Sequence, residues 1–163
     1  MEHSNVLIVG GGCAGIAVAS RINSLKSDLS ISIIEPSEKS LYQAAWTLVG
    51  AGAYDVGNTI KPMTEVMPSY VNWIKEHAEE FMPDSNSVKT NSNTYTYDYL
   101  VVCPGLKLNF DGVAGLKESL GKNNVCTNYS AEMATYTWEC LKNLDGGTSV
   151  SYTHLTLPTK RIV

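Results

Sequence analysis

The sequence predicts an α/β fold with a parallel sheet, and three neighbouring segments support this prediction. Residues 5–10 form a short, continuously apolar run, which suits a strand that is covered on both faces of a parallel sheet. Apolar side chains then recur at helical spacing over residues 14–25, and residues 30–35 form a second strand-like run. A strand, a helix and a second strand in this order form a right-handed parallel unit.

Three later segments extend this pattern. Val71–Ile74 has the composition of a third strand. Ser87–Thr90 and residues 94–97 flank a polar turn at residues 91–93, which predicts a β-hairpin inserted into the fold.

The remaining segments complete the predicted order of elements. Residues 99–103 have the composition of a second buried strand, closed by a turn at Pro104 and Gly105. A helix is predicted to begin after the N-cap Ser130 and to end near residue 144. Residues 36–67 are rich in glycine and proline, so we expect loops there, and a connection of this length is usually functional.

Composition excludes several function classes. The 163 residues include 12 basic and 16 acidic side chains, a net charge of −4, so no basic surface for a nucleic acid is expected. No apolar run reaches the roughly 18 residues of a membrane span, and no signal or transit peptide is recognised. The four cysteines lack zinc-type spacing, so no metal site is predicted, and a reducing compartment is expected.

A glycine-rich loop lies between the first predicted strand and the first predicted helix. It contains Gly-x-Gly-x-x-Gly as Gly10, Gly12 and Gly15, with Cys13 and Ala14 between the last two. Gly10 allows a tight turn, Gly12 lets a pyrophosphate approach the backbone, and Gly15 lets the helix pack closely on the strand. The helix N-terminus would supply N–H groups to the phosphates. The pattern predicts a dinucleotide site, and the alternative is a glycine-rich turn without a ligand.

An acidic residue stands where this type of site needs one. Glu35 ends the second predicted strand, about 20 residues after the glycines, where its carboxylate can accept hydrogen bonds from a ribose 2′-hydroxyl. The same charge would repel a 2′-phosphate, which disfavours NADP. The alternative is a solvated carboxylate at a strand end. Cys13 is interpreted as a small packing residue rather than a redox thiol.

A longer motif resembles one family of flavoproteins. Residues 42–52 read YQAAWTLVGAG, close to the YQPxWTLVGAG of sulfide:quinone oxidoreductases of the branch that includes the mitochondrial enzymes. The family's usual proline is alanine here, which allows a less rigid loop. The similarity continues in VNWIK at 71–75, YDYLVV at 97–102 and NYS at 128–130, and spans residues 5–148.

This resemblance implies a Rossmann-like FAD-binding domain, of which the chain is the N-terminal part. Within it, Cys13 and Ala14 would face the pyrophosphate and Glu35 the adenosine ribose. Gln43 would lie on the flavin side of the cofactor. Ala78, expected at the end of the Val71 strand, would offer main-chain hydrogen bonds to adenine. The strand ending at Gly105 would pass close to the cofactor, or it is a core strand that turns there. Trp46 either borders the cofactor pocket or packs in the core.

The resemblance also implies a reaction and its partners. In the family, sulfide is captured as a persulfide by a cysteine pair, electrons pass to FAD, and quinone is reduced at a membrane surface. Peripheral attachment to a bacterial cell membrane or the mitochondrial inner membrane is therefore expected. The redox cysteines belong to segments that this chain does not contain. Cys126 precedes the last helix, and a small buried hydrophobe is the main alternative to a catalytic role for it. Cys103 and Cys140 are interpreted as structural.

Residues 149–163 depart from the family pattern and resemble translated sequencing-adapter read-through. The chain is therefore expected to be a fragment. Two alternatives to the main interpretation stay open. One is a piece of another flavoprotein with two dinucleotide-binding domains, such as an NADH:quinone oxidoreductase. The other is an inactive fragment that binds only the cofactor.

Overall fold

A computed structural model describes residues 2–146 of the chain, which form a mixed six-stranded sheet, a small second sheet and five α-helices within this part. The strands are β1 Glu2–Val9, β2 Ile31–Ile34, β3 Lys39–Leu41, β4 Ile60–Pro62, β5 Val71–Ile74, β6 Ala78–Met82, β7 Ser87–Thr90 and β8 Thr94–Val102. The helices are α1 Cys13–Leu25, α2 Trp46–Gly50, α3 Met63–Val66, α4 Leu116–Ser119 and α5 Ala131–Lys142.

The main sheet has the strand order β5-β2-β1-β8-β7-β6. The first four strands in this order run parallel, whereas β7 pairs antiparallel with both β8 and β6. β3 and β4 form a separate antiparallel pair. The predicted α/β class with a mostly parallel sheet is confirmed.

Alternating side chains of β1 divide the core between the two faces of the sheet. Leu7 and Val9 belong to a buried cluster on one face, and Val6 and Ile8 to a cluster on the other. Ala19 of α1 is fully buried in the second cluster, so α1 covers that face of the sheet. The glycines that precede α1 are thereby held next to the end of β1.

The hairpin around residues 91–93 is present, but it is not a separate insertion. Its second strand continues without a break into the strand predicted at 99–103, so β8 is one strand that joins the hairpin to the parallel sheet. β8 is also not buried throughout, because Tyr99 and Val102 are exposed. It ends at Val102, before Gly105. The sequence did not predict β6, which pairs with β7 at the edge of the sheet.

The segment 36–67 contains more regular structure than expected. It folds into β3, β4, α2, α3 and two short 3-10 helices, Gln43–Ala45 and Val56–Thr59. Long-range hydrogen bonds join these pieces, since the Tyr42 N–H donates to the Thr59 carbonyl at 2.8 Å. The prediction of a loop was therefore wrong for much of this segment.

The predicted last helix is present as α5, with Ser130 at its N-cap position. The Ser130 side chain makes no capping hydrogen bond, and the helix ends at Lys142 rather than near 144. Within residues 2–146, no helix has the length and apolar character needed to cross a membrane. The interpretation of residues 149–163 as an unrelated tail lies outside the described residues.

Candidate functional site

The carboxyl ends of three parallel strands meet at one edge of the main sheet. Val9, the last residue of β1, is in register with Ile34 of β2 and with Val102 of β8. The residues that follow, Gly10, Glu35 and Cys103, therefore lie side by side. The Gly10 N–H donates to the Ile34 carbonyl at 2.9 Å, and the Cys103 N–H donates to the Val9 carbonyl at 2.8 Å. Open α/β sheets bind ligands at this edge.

The glycines of the loop face two different surroundings. Gly10 has φ +105°, and a Cβ there would lie 2.1 Å from the Cys103 carbonyl oxygen. A Cβ on Gly15 would lie 1.9 Å from the Gly10 carbonyl oxygen. At Gly12, by contrast, a Cβ would meet nothing within 4 Å. Gly10 and Gly15 thus allow close packing of the chain, and Gly12 leaves open space at the start of α1.

The N-terminus of α1 is suited to an anion. Gly12 is the N-cap residue and supplies no side-chain cap, and the first turn contains no acidic side chain. The first N–H groups of a helix have no acceptor within the helix, and its dipole places partial positive charge there. Cys13 and Ala14 are exposed at this end. The Cys13 side chain lies at the surface of the site.

The Glu35 carboxylate is positioned beside the glycine loop. One oxygen accepts a hydrogen bond from the Gly11 N–H at 2.9 Å, and the other from the Ser37 N–H at 2.7 Å. A carboxylate has about four lone-pair positions, so both oxygens keep room for ligand hydroxyls. The Trp73 indole N–H donates to the Glu35 carbonyl at 2.8 Å and fixes the backbone there.

Two of these contacts were not anticipated from the sequence. Gly11 occupies a variable position of the fingerprint, yet a Cβ there would lie 2.7 Å from the Glu35 Cβ. Trp73 belongs to the VNWIK motif, but nothing in the motif indicates that its indole binds the Glu35 carbonyl. The close approach of Glu35 to the loop depends on both residues.

A largely apolar cleft of about 500 Å³ begins at Cys13 and runs between α1 and the small sheet. Leu41, Tyr42 and Tyr54 line it, and Lys61 is the one charged side chain among its lining residues. Sequence reasoning missed Tyr54 and Lys61, because they lie in the segment that was expected to be loops. A second cavity of about 540 Å³ lies at the β7–β8 hairpin, at a different end of the sheet from the glycine loop.

Three further predicted site residues lie on separate elements. Gln43 is exposed and opens the 3-10 helix directly after the cleft residue Tyr42. Gly105 has φ +77° and open space on its Cβ side, three residues after the end of β8. Ala78 does not end the Val71 strand as predicted. It begins β6, which is the outermost strand on the other side of the sheet from β5. It nevertheless packs against the cluster that contains Val9 and Ile34.

Trp46 belongs to the core. Its side chain is 5% exposed and packs with Val49 and Ala134 between α2 and α5. The indole N–H donates to the Thr59 hydroxyl at 3.0 Å, so the polar atom of the ring is satisfied inside the protein. Of the two interpretations of Trp46, packing is the one that the structure supports.

A family model described as pyridine nucleotide-disulphide oxidoreductase matches residues 4–135, most of the chain. The chain belongs to this family. The predicted Rossmann-like FAD-binding fold is thereby confirmed, and the open Gly12, the uncapped α1 and the oriented Glu35 carboxylate fit the FAD that the family binds.

Three proteins are similar to most of this chain. The mitochondrial sulfide:quinone oxidoreductase of Dictyostelium discoideum is 41% identical over 152 residues, which are 92% of this chain and 34% of that protein. The structure of the sulfide:quinone oxidoreductase from Aquifex aeolicus aligns with a TM-score of 0.68 and 31% identity, over 87% of this chain and 32% of that one. A type II NADH:quinone oxidoreductase of Staphylococcus aureus is 26% identical, over 72% of this chain and 30% of its own length. The chain therefore spans about a third of the length of these relatives.

Proposed function

We propose that this chain is the FAD-binding N-terminal part of a sulfide:quinone oxidoreductase. The observation that carries the proposal is the identity of 41% with such an enzyme over 92% of the chain. The type II NADH:quinone oxidoreductase is less similar and aligns with less of the chain. The second candidate, a part of an NADH:quinone oxidoreductase, rests on that weaker similarity.

The proposed roles of this chain's residues are to bind and orient the cofactor. The N–H groups at the start of α1, including those of Cys13 and Ala14, donate to the pyrophosphate that Gly12 admits. The Glu35 carboxylate, held by the Gly11 and Ser37 N–H groups, accepts from the adenosine ribose hydroxyls. Lys61 contributes positive charge near the phosphates from the wall of the cleft.

The flavin end of the cofactor is assigned to other elements. Gln43 lies beside it, next to Tyr42 of the cleft wall. Gly105 lets the chain after β8 pass close to the cofactor, because no side chain fills the space there. Ala78 is assigned to adenine, and it packs against the cluster that contains Val9 and Ile34.

When bound, FAD supplies the two-electron transfer that links sulfide oxidation to quinone reduction. The cysteines that hold the persulfide, the quinone pocket and the membrane-attaching segment are assigned to parts of the longer protein. We accordingly propose peripheral attachment to a mitochondrial inner membrane or a bacterial cell membrane. The chain by itself is expected to bind FAD without turning over sulfide.

A chimera tests the substrate assignment. Residues 5–146 would replace the aligned third of the Dictyostelium discoideum relative, and in a matched chimera the aligned third of the Staphylococcus aureus relative. The first chimera should retain sulfide-dependent reduction of a soluble quinone, and the second should lose the NADH-dependent reduction of its parent, with flavin content measured for both. Equal flavin content with activity only in the NADH-dependent chimera would favour the second candidate.

The cofactor assignment has its own test. The purified chain would be incubated with FAD or with NAD, desalted, and examined by absorption spectroscopy. Retained flavin bands without retained NAD are the expected result. A folded chain that retains neither, or retains NAD alone, would contradict the cofactor proposal independently of the substrate.

A further inference from the structure

The indole of Trp73 supports the backbone of Glu35 from the neighbouring strand. Pairing of β2 with β5 ends at Ile34 and Ile74, and the Glu35 N–H donates to the Ile74 carbonyl at 2.9 Å. The Trp73 indole N–H donates to the Glu35 carbonyl at 2.8 Å. β5 thus binds both main-chain polar groups of Glu35, one through its backbone and one through a side chain.

The Trp73 ring is held in this orientation. It is partly buried, and the Lys75 ammonium lies over one face of the ring, 4.3 Å from its centroid. The same ammonium lies 3.2 Å from the Glu38 carboxylate, but both of these side chains are exposed, and exposed ion pairs contribute little to stability. The indole hydrogen bond is therefore the main side-chain link between β5 and the segment that carries Glu35.

The peptide group after Glu35 determines where the Glu35 carboxylate lies. Its carbonyl accepts from Trp73, and Pro36 favours extended backbone at Glu35. The chain direction set there places the Ser37 N–H, which donates to one carboxylate oxygen at 2.7 Å. The Gly11 N–H binds the other oxygen, and a Cβ on Gly11 would lie 2.7 Å from the Glu35 Cβ. The carboxylate therefore has little freedom to move independently of this peptide group.

We propose that Trp73 is a positioning residue for recognition of the adenosine ribose, an inference that rests on the proposed binding of the ribose hydroxyls by Glu35. The indole N–H fixes the peptide group after Glu35, and the carboxylate is thereby held in place before the ligand arrives. Without this N–H the peptide group is freer to rotate, so binding has to order it. Trp73 acts through Glu35, and its effect is therefore confined to ligands that carry ribose hydroxyls.

Adenosine diphosphates test this role, because they contain the ribose and two phosphates of the cofactor without its flavin. ADP and 2′,3′-dideoxy-ADP would be titrated into the purified chain by isothermal titration calorimetry. Trp73→Phe keeps an aromatic ring and removes the N–H. Its affinity for ADP should be about 5-fold lower than that of the wild type, which is the effect of about one hydrogen bond. Its affinity for dideoxy-ADP should equal that of the wild type.

Two further variants separate positioning from a general structural role. In the Glu35→Ala background, Trp73→Phe should cause no further loss of ADP affinity, because the group that Trp73 positions is absent. Trp46→Phe is the matched control, since it removes an indole N–H that donates to the Thr59 hydroxyl at 3.0 Å within the core. It should lower the free energy of unfolding and leave ADP affinity unchanged. If Trp73→Phe does not fold, benzothienylalanine at position 73 preserves the ring shape without the N–H.

Three results would overturn the positioning role of Trp73. They are equal losses of affinity for ADP and dideoxy-ADP in Trp73→Phe, an undiminished loss in the Glu35→Ala background, and no loss at all. Each of them leaves the proposed function intact as long as the wild-type chain binds FAD. A folded wild-type chain that binds neither ADP nor FAD would instead contradict the cofactor proposal, and the role of Trp73 with it.

Discussion

Two carboxylates of this chain, Glu35 and Glu76, occupy contrasting surroundings. Glu35 follows β2, and each of its oxygens accepts one backbone N–H beside an open glycine loop. Glu76 follows β5, and its oxygens are bound by the side chains of Thr90 and Asn93 in the hairpin. Both are acids that come shortly after a parallel strand, yet their partners differ in kind.

The difference separates the carboxylate proposed to bind the ribose from a carboxylate that joins two segments of the fold. Backbone N–H groups orient Glu35 with one hydrogen bond to each oxygen, and the proposed ribose contact uses the remaining lone pairs. The Thr90 and Asn93 side chains that donate to Glu76 join the segment after β5 to the hairpin.

The largest effect is expected at the glycine loop. In Gly12→Val the new side chain would fill the open space before α1, and FAD affinity should fall by about 100-fold, equivalent to about 2.8 kcal/mol. Folding should be nearly unchanged, because Gly12 has φ −76°.

Gly15→Ala is the contrasting variant, since its Cβ would meet the Gly10 carbonyl, and it should lower the free energy of unfolding. Titration of flavin fluorescence together with urea denaturation would separate the two effects. Normal FAD binding by the Gly12→Val chain would contradict the placement of the pyrophosphate at this loop.

A smaller effect is expected at Glu35. Glu35→Gln removes the charge from hydrogen bonds to the ribose, and FAD affinity should fall by about 10-fold, since such bonds contribute about 1.5–3 kcal/mol. Glu38→Gln makes the same charge change at an exposed side chain that pairs with Lys75, and affinity should be nearly unchanged. Equal losses in the two variants would indicate a general charge effect rather than a ribose contact.

The sequence predicted those parts of the site that depend on neighbouring residues. The glycine spacing and the position of Glu35 after a strand are local patterns. Parallel pairing of the first two strands places Val9 opposite Ile34, which brings the glycine loop next to Glu35. Cleft residues such as Tyr54 and Lys61 could not be predicted in this way. Their positions depend on contacts across the segment 36–67, such as the hydrogen bond from Trp46 to Thr59.

β6 was missed for a different physical reason. The strand Ala78–Met82 carries two adjacent acids and lacks alternation of apolar and polar side chains. It forms because β7 offers an antiparallel partner, with Phe81 opposite Val88. The predicted position of Ala78 at the end of β5 failed for the same reason, since pairing with β7 is a long-range contact that no local pattern reports.

The smallest effect is expected at Glu76, where a substitution should change the free energy of unfolding rather than FAD affinity. The Thr90 hydroxyl, which donates to Glu76, holds the pKa of that carboxyl below its ordinary value of 4.5. Because the folded-state pKa is lowered, the stabilisation is complete above pH 4.5 and is lost as the pH falls through the folded-state value. Glu76→Gln should therefore lower the free energy of unfolding at pH 7 by about 1 kcal/mol, with a decrease in Tm of about 2–4 °C.

The pH dependence makes this last comparison decisive. The difference between wild type and Glu76→Gln should shrink as the pH is lowered below 4.5, because the wild-type carboxyl then becomes neutral as well. Glu79→Gln, an exposed acid on β6, is the control and should change Tm little at either pH. FAD affinity at pH 7 should be the same in all three chains. If Glu76→Gln weakened FAD binding as much as Glu35→Gln, Glu76 would belong to the cofactor site. The contrast between the two acids would then be wrong.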